Sequence, residues 1–213
     1  MGYSKFRPGR HRARHGRLSV GTPSSPPRAL PRLWLFTDER VTDDALIAAI
    51  ARLPRSSGII FRHYGLDHDR RRRLFERIAG LARRKGLLLL LAGATNGIRQ
   101  TMVCGRHKAA WMDRAARPCR RGLLSVAAHD APDLIAARRA GADLAFLSPV
   151  FPTRSHPDGR TLGPVRFGLI ARQARLPVIA LGGMDRARFR RLKALGAYGW
   201  GAIDALTLRR GGS

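Results

Sequence analysis

The stretch FLSPVFPTRSHPDGRTLG, Phe146 to Gly163, followed by PVIALGG, Pro177 to Gly183, decides how the chain is read. Its first part completes an apolar run, Leu144 to Leu147, that reads as a buried strand. The run stops at Ser148 and Pro149 and gives way to a loop of Thr, Arg, Ser, His and Gly. The second run, Val178 to Leu181, shows no polar alternation, as expected of a parallel strand covered on both faces. It ends in Gly182-Gly183, where bare backbone lets N–H groups approach an anion. Two buried strands, each ending in a loop suited to phosphate, point to a parallel α/β fold with its binding groups at the strand ends.

Working outward, strand-like runs recur at Leu33 to Thr37, Gly58 to Arg62, Leu87 to Leu91, Lys108 to Met112, Leu123 to Ala127, Leu144 to Leu147, Val178 to Leu181 and Tyr198 to Ala202. Between them lie helical stripes. Leu46, Ala49, Ile50 and Leu53 follow i, i+3, i+4, i+7, and Leu74, Ile78, Leu81 and Ala82 nearly do. Phe167, Ile170, Ala171 and Ala174 repeat the pattern. These stripes are packing faces. Eight β-then-α units in this length predict an α/β fold, a single-domain (β/α)₈ TIM barrel, over residues 32–213.

Residues 1–31 form the second expected region, a basic tail. It carries Lys5, Arg7, Arg10, Arg12, Arg14, Arg17 and Arg28 without an acid, plus a Pro/Ser cluster from Thr22 to Pro27, and is expected to be disordered. It has the arginine-rich composition of a transit peptide but shows no sustained apolar face and no signal-peptide core. A flexible tail or a mis-assigned start is the preferred reading.

The 213-residue chain has a formal net charge of +27, from 41 Lys and Arg against 14 Asp and Glu. Such charge invites a nucleic-acid partner. Its distribution speaks for another origin: beyond the tail the arginines fall on helical stretches such as Arg70 to Arg73 and Arg186 to Arg191, without interleaved aromatics. These read as solvated helix faces, and no specific nucleic-acid partner is expected. Leu87 to Ala92 is far shorter than the roughly 20 apolar residues that cross a bilayer, so no membrane partner is expected. Cys104 and Cys119 lack any ligand-like spacing and are expected to be free thiols in a reducing cytoplasm.

In a (β/α)₈ barrel the chemistry gathers at the strand C-termini. That rule selects Arg62, His63 and Tyr64 after strand two, Gly93 and Asn96 after strand three, Asp113 after strand four and His129 after strand five. It adds Ser148 to His156 after strand six, Gly182 and Gly183 after strand seven, and Ile203 and Asp204 after strand eight. The loops after strands seven and eight, with a helix start, are the usual barrel phosphate site. His129 before Asp130 fits either a site or a capping role, and His107 either packing or the surface.

SVAAHDAPDLIAARRAGADLAFLSPVFPTRSHPDGRTLG, PVIALGGM and GAYGWGAIDAL resemble the C-terminal half of the thiamine phosphate synthase and TenI family. LWLFTDERV resembles the family's first strand. The resemblance implies a transferase that joins a hydroxymethylpyrimidine diphosphate to a thiazole phosphate and releases diphosphate. It implies that Thr153, Arg154 and Ser155 contact the thiazole phosphate, with Gly182, Gly183, Ile203 and Asp204 completing its cradle. His156 falls where many members place a diphosphate-binding lysine.

The N-terminal half departs from the family pattern. FRHYG, Phe61 to Gly65, stands where synthases carry Gln-x-Arg-x-Lys, leaving Arg62 and His63 as substitutes. Ala92-Gly93 replaces an Asn-Asp pair whose Asp ligates Mg²⁺, and Asp113 matches a second acidic ligand only loosely. Ala127 replaces a small hydroxyl residue, and Asp204 a serine. Arg62, His129 and His156 are the catalytic candidates. Two further readings remain: a TenI-like thiazole tautomerase, with His129 as acid and base, and a non-catalytic barrel that binds a phosphorylated ligand.

Overall fold

A computed structural model describes residues 29–95, 97–98, 104–109, 122–155 and 159–207. The eight strands are β1 (Leu33–Phe36), β2 (Gly58–Phe61), β3 (Leu88–Ala92), β4 (Gly105–Ala109), β5 (Leu123–Ala128), β6 (Leu144–Leu147), β7 (Val178–Ala180) and β8 (Gly199–Ala202). All neighbours pair in parallel, and β8 returns to β1 to close the barrel. The helices among the described residues are α1 (Asp43–Arg52), α2 (His68–Lys85), α3 (Ala131–Arg139), α4 (Gly163–Gln173), α5 (Arg186–Lys193) and α6 (Asp204–Thr207). This is the expected (β/α)₈ barrel.

Helix boundaries follow local chemistry. Thr42 and Asp67 accept amide protons from Ala45 and Arg70 at the starts of α1 and α2. Gly86 ends α2 in the left-handed conformation at φ 66°. Thr42 and Asp67 each satisfy an amide donor the helix cannot, a contribution of about 1 kcal/mol, while the Gly86 amide satisfies the carbonyls of Ala82 and Arg83. The predicted stripes do face the core: Leu46, Ala49 and Ile50 on α1, and Leu74, Ile78 and Ala82 on α2, are buried.

Alternate strand residues point inward. Trp34, Phe36, Ile60, Leu90, Leu144, Phe146 and Ile179 fill the barrel interior. Phe146 meets Trp34 and Phe36 edge-on, with centroids 5.3 and 4.8 Å apart. Such pairs add about 0.5–1.5 kcal/mol each beyond burial. At the opposite end from the site, the Trp34 indole donates to Pro31 O at 2.8 Å and the Tyr198 hydroxyl to Leu30 O at 3.0 Å. Barrel contacts therefore begin by Leu30, inside the stretch assigned to the tail; residues 1–28 lie outside the described ones.

Strand four corrects the sequence reading. It was expected at Lys108 to Met112 but is described from Gly105 to Ala109 and so begins earlier; residues 110–112 of the expected run lie outside the described residues. The polar stretch GRHKA pairs with β3 and β5 because its inward positions suit a small residue and a histidine, Gly105 and His107. Apolarity favoured a later start, and tertiary pairing overrode it. Gly105 could be nothing larger: a Cβ there would stand 2.0 Å from Leu123 O.

Candidate functional site

The C-terminal ends of the strands surround a cleft of about 270 Å³. Arg62, His129, Thr153 and Ser155 line it together with Gly182, Gly183, Ile203 and Asp204. These residues were selected from loops after β2, β5, β6, β7 and β8, and the barrel brings them to one mouth. Phe36, Met184 and Arg160 also line the cleft, although the strand-end rule did not select them. Arg160 sits late in a long loop, where spacing from a strand end carries no signal.

The glycine pair serves packing as well as exposure. Gly182 and Gly183 have φ of 90° and 59°. A Cβ on Gly182 would stand 2.7 Å from Pro149 Cα, and one on Gly183 2.4 Å from Pro152 O. Their bareness lets the β7 turn lie directly against SPVFP. Val150 N donates to Leu181 O at 2.9 Å and Phe151 N to Gly182 O at 3.1 Å, locking the two loops together. The Arg188 guanidinium adds a hydrogen bond to Gly183 O and stacks over Phe151 at 4.7 Å.

His129 is held by the start of α3. Asp130 accepts the Asp133 amide at 2.9 Å, and Asp133 accepts the His129 amide at 2.8 Å. The imidazole Nδ1 lies 2.8 Å from Ser148 O. A carbonyl can only accept, so Nδ1 carries a proton, and in the neutral ring the lone pair sits on Nε2. His129 thus combines a capped helix start with a place in the cleft.

Arg62 is aimed by groups at the end of β1. Its Nε donates to Thr37 O at 2.8 Å and its Nη2 to Asp38 Oδ2 at 2.9 Å. Asp38 also takes a two-pronged contact from Arg40, at 2.7 and 3.1 Å. Burial works to raise the Asp38 pKa, but hydrogen bonds from Arg40 and the charges of Arg62 and Arg40 outweigh it and hold the carboxyl below its usual value.

His63 does not line the cleft. It is 2% exposed, stacks on Phe61 at 5.0 Å and places Nδ1 2.8 Å from the Thr37 hydroxyl. Burial lowers its pKa. Arg154 is exposed and also stands outside the cleft lining. Asn96, Asp113 and His156 lie outside the described residues.

One buried group escaped the sequence reading, and a second, His107, takes the packing role that was one of its two readings there. Arg71, read as part of a solvated face, is 4% exposed. Its guanidinium donates to the carbonyls of Arg62, His63, Ala92 and Ala94 at 2.8–3.1 Å, tying the ends of β2 and β3 together. His107 lies inside the barrel against Phe36 and Phe146. Burial, assisted by the Arg62 charge, lowers its pKa to about 3.

The described donor set does not suit Mg²⁺, which demands near-octahedral oxygen ligation. No group of three or more His, Cys, Asp or Glu among the described residues is arranged to hold a metal. Both Asp38 oxygens face guanidinium groups, and Glu39 accepts the Gly65 amide at 2.8 Å. At the end of β3, Gly93 offers a carbonyl that Arg106 already occupies at 2.6 Å.

A closed (β/α)₈ barrel with cations, hydroxyls and a glycine turn gathered at its C-terminal mouth defines the class of this protein. Residues 33–206 match the thiamine monophosphate synthase family, and the chain belongs to it. It is 32% identical over 82 residues to a putative thiamine-phosphate synthase 2 of Aquifex aeolicus, covering 38% of this chain and 44% of that one. It is 25% identical over 183 residues to a thiamine-phosphate synthase of Chloroflexus aurantiacus, covering 82% and 84%. The first of these matches thus spans less than half of its relative's length. Thiamine phosphate pyrophosphorylase from Pyrococcus furiosus shares the fold, with a TM-score of 0.70 at 18% identity over 84% of this chain and 88% of that one. Among the described residues no helix is long and apolar enough to cross a membrane.

Proposed function

We propose that the protein is a thiamine phosphate synthase-like transferase, joining a hydroxymethylpyrimidine diphosphate to a thiazole phosphate in thiamine biosynthesis. The supporting observation is the convergence of Arg62, Thr153, Ser155 and the Gly182-Gly183 turn on one cleft, in a chain of this family. Thr153 and Ser155 would hold the thiazole phosphate by their hydroxyls, with backbone N–H groups of the β7 and β8 turns around it.

In the reaction the thiazole nitrogen donates its lone pair to the pyrimidine methylene carbon. The carbon–oxygen bond to diphosphate breaks, and the diphosphate leaves with the bonding electrons. The demand on the protein is to stabilise that departing negative charge. Arg62, fixed by Thr37 and Asp38, meets it without reorganising, which is where electrostatic catalysis gains most. His156 is the second candidate cation. Mg²⁺ is assigned no step, because the described donors do not suit it.

The test is incubation of the full chain with both substrates, with and without Mg²⁺, following thiamine phosphate and diphosphate. Formation of both supports the reading; their absence under both conditions removes it.

The Nδ1–H tautomer of His129 favours one other reading, a TenI-like thiazole tautomerase. A free Nε2 lone pair in the cleft would take a proton from one atom of the thiazole and return it to another, with no metal. In that case metal-independent isomerisation should be present in the wild type and vanish in His129→Ala. The non-catalytic barrel would bind the phosphorylated thiazole and turn over neither substrate pair.

A further inference from the structure

Arg40 has no part in the reading above, yet its side chain reaches into it. It stands in the turn after β1, and its Nη2 donates to Ser155 Oγ at 3.1 Å, crossing to the loop between β6 and α4. Its position is fixed at the other end. Nε and Nη2 both contact Asp38, at 2.7 and 3.1 Å, and its own amide donates to Asp38 Oδ1 at 3.1 Å.

Asp38 Oδ2 is shared. It accepts from Arg40 Nη2 and, at 2.9 Å, from Arg62 Nη2. One carboxylate oxygen thus spaces two guanidinium groups at the edge of the cleft. Two guanidinium groups around one carboxylate leave this cluster with one net positive charge.

We propose that Arg40 is a further substrate-binding residue. Held by Asp38, which also pairs with Arg62, it receives the anionic group seated on the loop of Thr153 and Ser155, while Arg62 is left to the leaving diphosphate. The Arg40 contact distinguishes a phosphorylated ligand from its unphosphorylated form. This inference rests on the reading that a phosphorylated substrate occupies the cleft.

Three features carry it. Ser155 Oγ accepts from Arg40, which leaves the hydroxyl proton to donate, so both residues can bond to the same anion. Asp204 lines the cleft, and a phosphate seated beside its carboxylate needs a nearby cation to offset the repulsion. Arg40 supplies that cation: the hydrogen bond it donates to Asp38, and more weakly the Asp204 charge, raise its pKa, so it stays protonated. Finally, with Nε and Nη2 engaged by Asp38 and Ser155, the two N–H groups of Arg40 Nη1 are left to donate to an anion in a direction fixed by the planar group, which an ammonium cannot reproduce.

The test uses the full chain and calorimetry in a chelating buffer. The probes are thiazole phosphate, the corresponding thiazole alcohol and inorganic diphosphate, titrated into wild type, Arg40→Met and Arg40→Lys. Arg40→Met should weaken thiazole phosphate about tenfold or more, as loss of a charge-assisted pair does, and leave the alcohol within about twofold. Arg40→Lys should recover only part of the loss. Unchanged phosphate affinity in Arg40→Met overturns the role of Arg40, and so does an equal loss for phosphate and alcohol, which would mark a structural effect. If the wild type binds neither phosphorylated probe, the substrate reading falls as well.

Discussion

His107 Nδ1 lies 2.9 Å from Ser125 Oγ inside the closed barrel, and the two residues are direct register partners of β4 and β5. One turn of sequence logic explains why both are polar in an apolar interior. Each satisfies the other, and Ser125 also contacts Arg106 O at 3.4 Å. A hydroxyl or imidazole buried without its partner would cost about 1–3 kcal/mol.

This pair makes stability depend on pH in a definite direction. The imidazole is lowered to about 3 in the fold, whereas it titrates near 6.5 when unfolded. Between those values the unfolded chain binds the extra proton, so stability falls as pH drops below about 6.5. Urea midpoints measured from pH 7 to pH 4.5 should show this slope, and His107→Gln should reduce it by about 1.4 kcal/mol per pH unit, one proton's worth. His63, also lowered, leaves a residual slope. The Asp38 carboxyl acts below this window, because a depressed carboxylate loses its contribution only as pH falls toward its own low pKa. An unaltered slope in His107→Gln would show that the imidazole does not carry it.

Gly183→Val should abolish measurable thiazole phosphate binding by calorimetry. The side chain would drive into Pro152 O and the Phe151 Cβ, displacing the loop that carries Thr153 and Ser155. Wild-type affinity in a folded variant would refute the assignment of the phosphate site to this turn.

Arg62→Ala should lower synthase turnover by ~10²-fold or more while thiazole phosphate affinity stays nearly constant. The guanidinium serves the leaving diphosphate in this reading, so its loss is felt in the transition state. His156→Ala is expected to behave alike. Wild-type rates in both variants would exclude cationic stabilisation by these side chains.

Arg71→Met should destabilise the fold by about 1–3 kcal/mol or more, since it strands buried carbonyls of β2 and β3 ends that now share one guanidinium. A shift in the denaturant midpoint reads this out. Arg71→Lys should not restore it, because an ammonium cannot reach carbonyls in that planar spread. A midpoint equal to wild type would mean that water replaces the contacts freely.

The barrel was legible because seven of its strands are apolar runs with turn residues at their ends, and parallel pairing buries such runs on both faces. β4 was misplaced for the same reason. Its sequence, GRHKA, owes its place to what β3 and β5 offer as partners, not to its own hydrophobicity. Arg62, His129, Thr153, Ser155 and the glycine pair were legible in the site because each follows a strand that could be read. His63 also follows one and yet turns away from the cleft toward Thr37.

The sequence by itself determined the strand and helix periods, the position of the chain's loops relative to strand ends, and the family motif from Phe146 to Gly183. These are local properties, set by side-chain alternation and turn chemistry. Only the tertiary structure decided which cations are solvated and which are fixed. Arg71 and its neighbour Arg72 belong to one arginine run, yet Arg71 is buried among carbonyls while Arg72 pairs with Asp69 at the surface. Arg40 and Ser155 stand 115 residues apart and meet across the mouth. Closing the barrel brings distant strand ends together, and burial and charge pairing follow from that closure, which no stretch of sequence encodes locally.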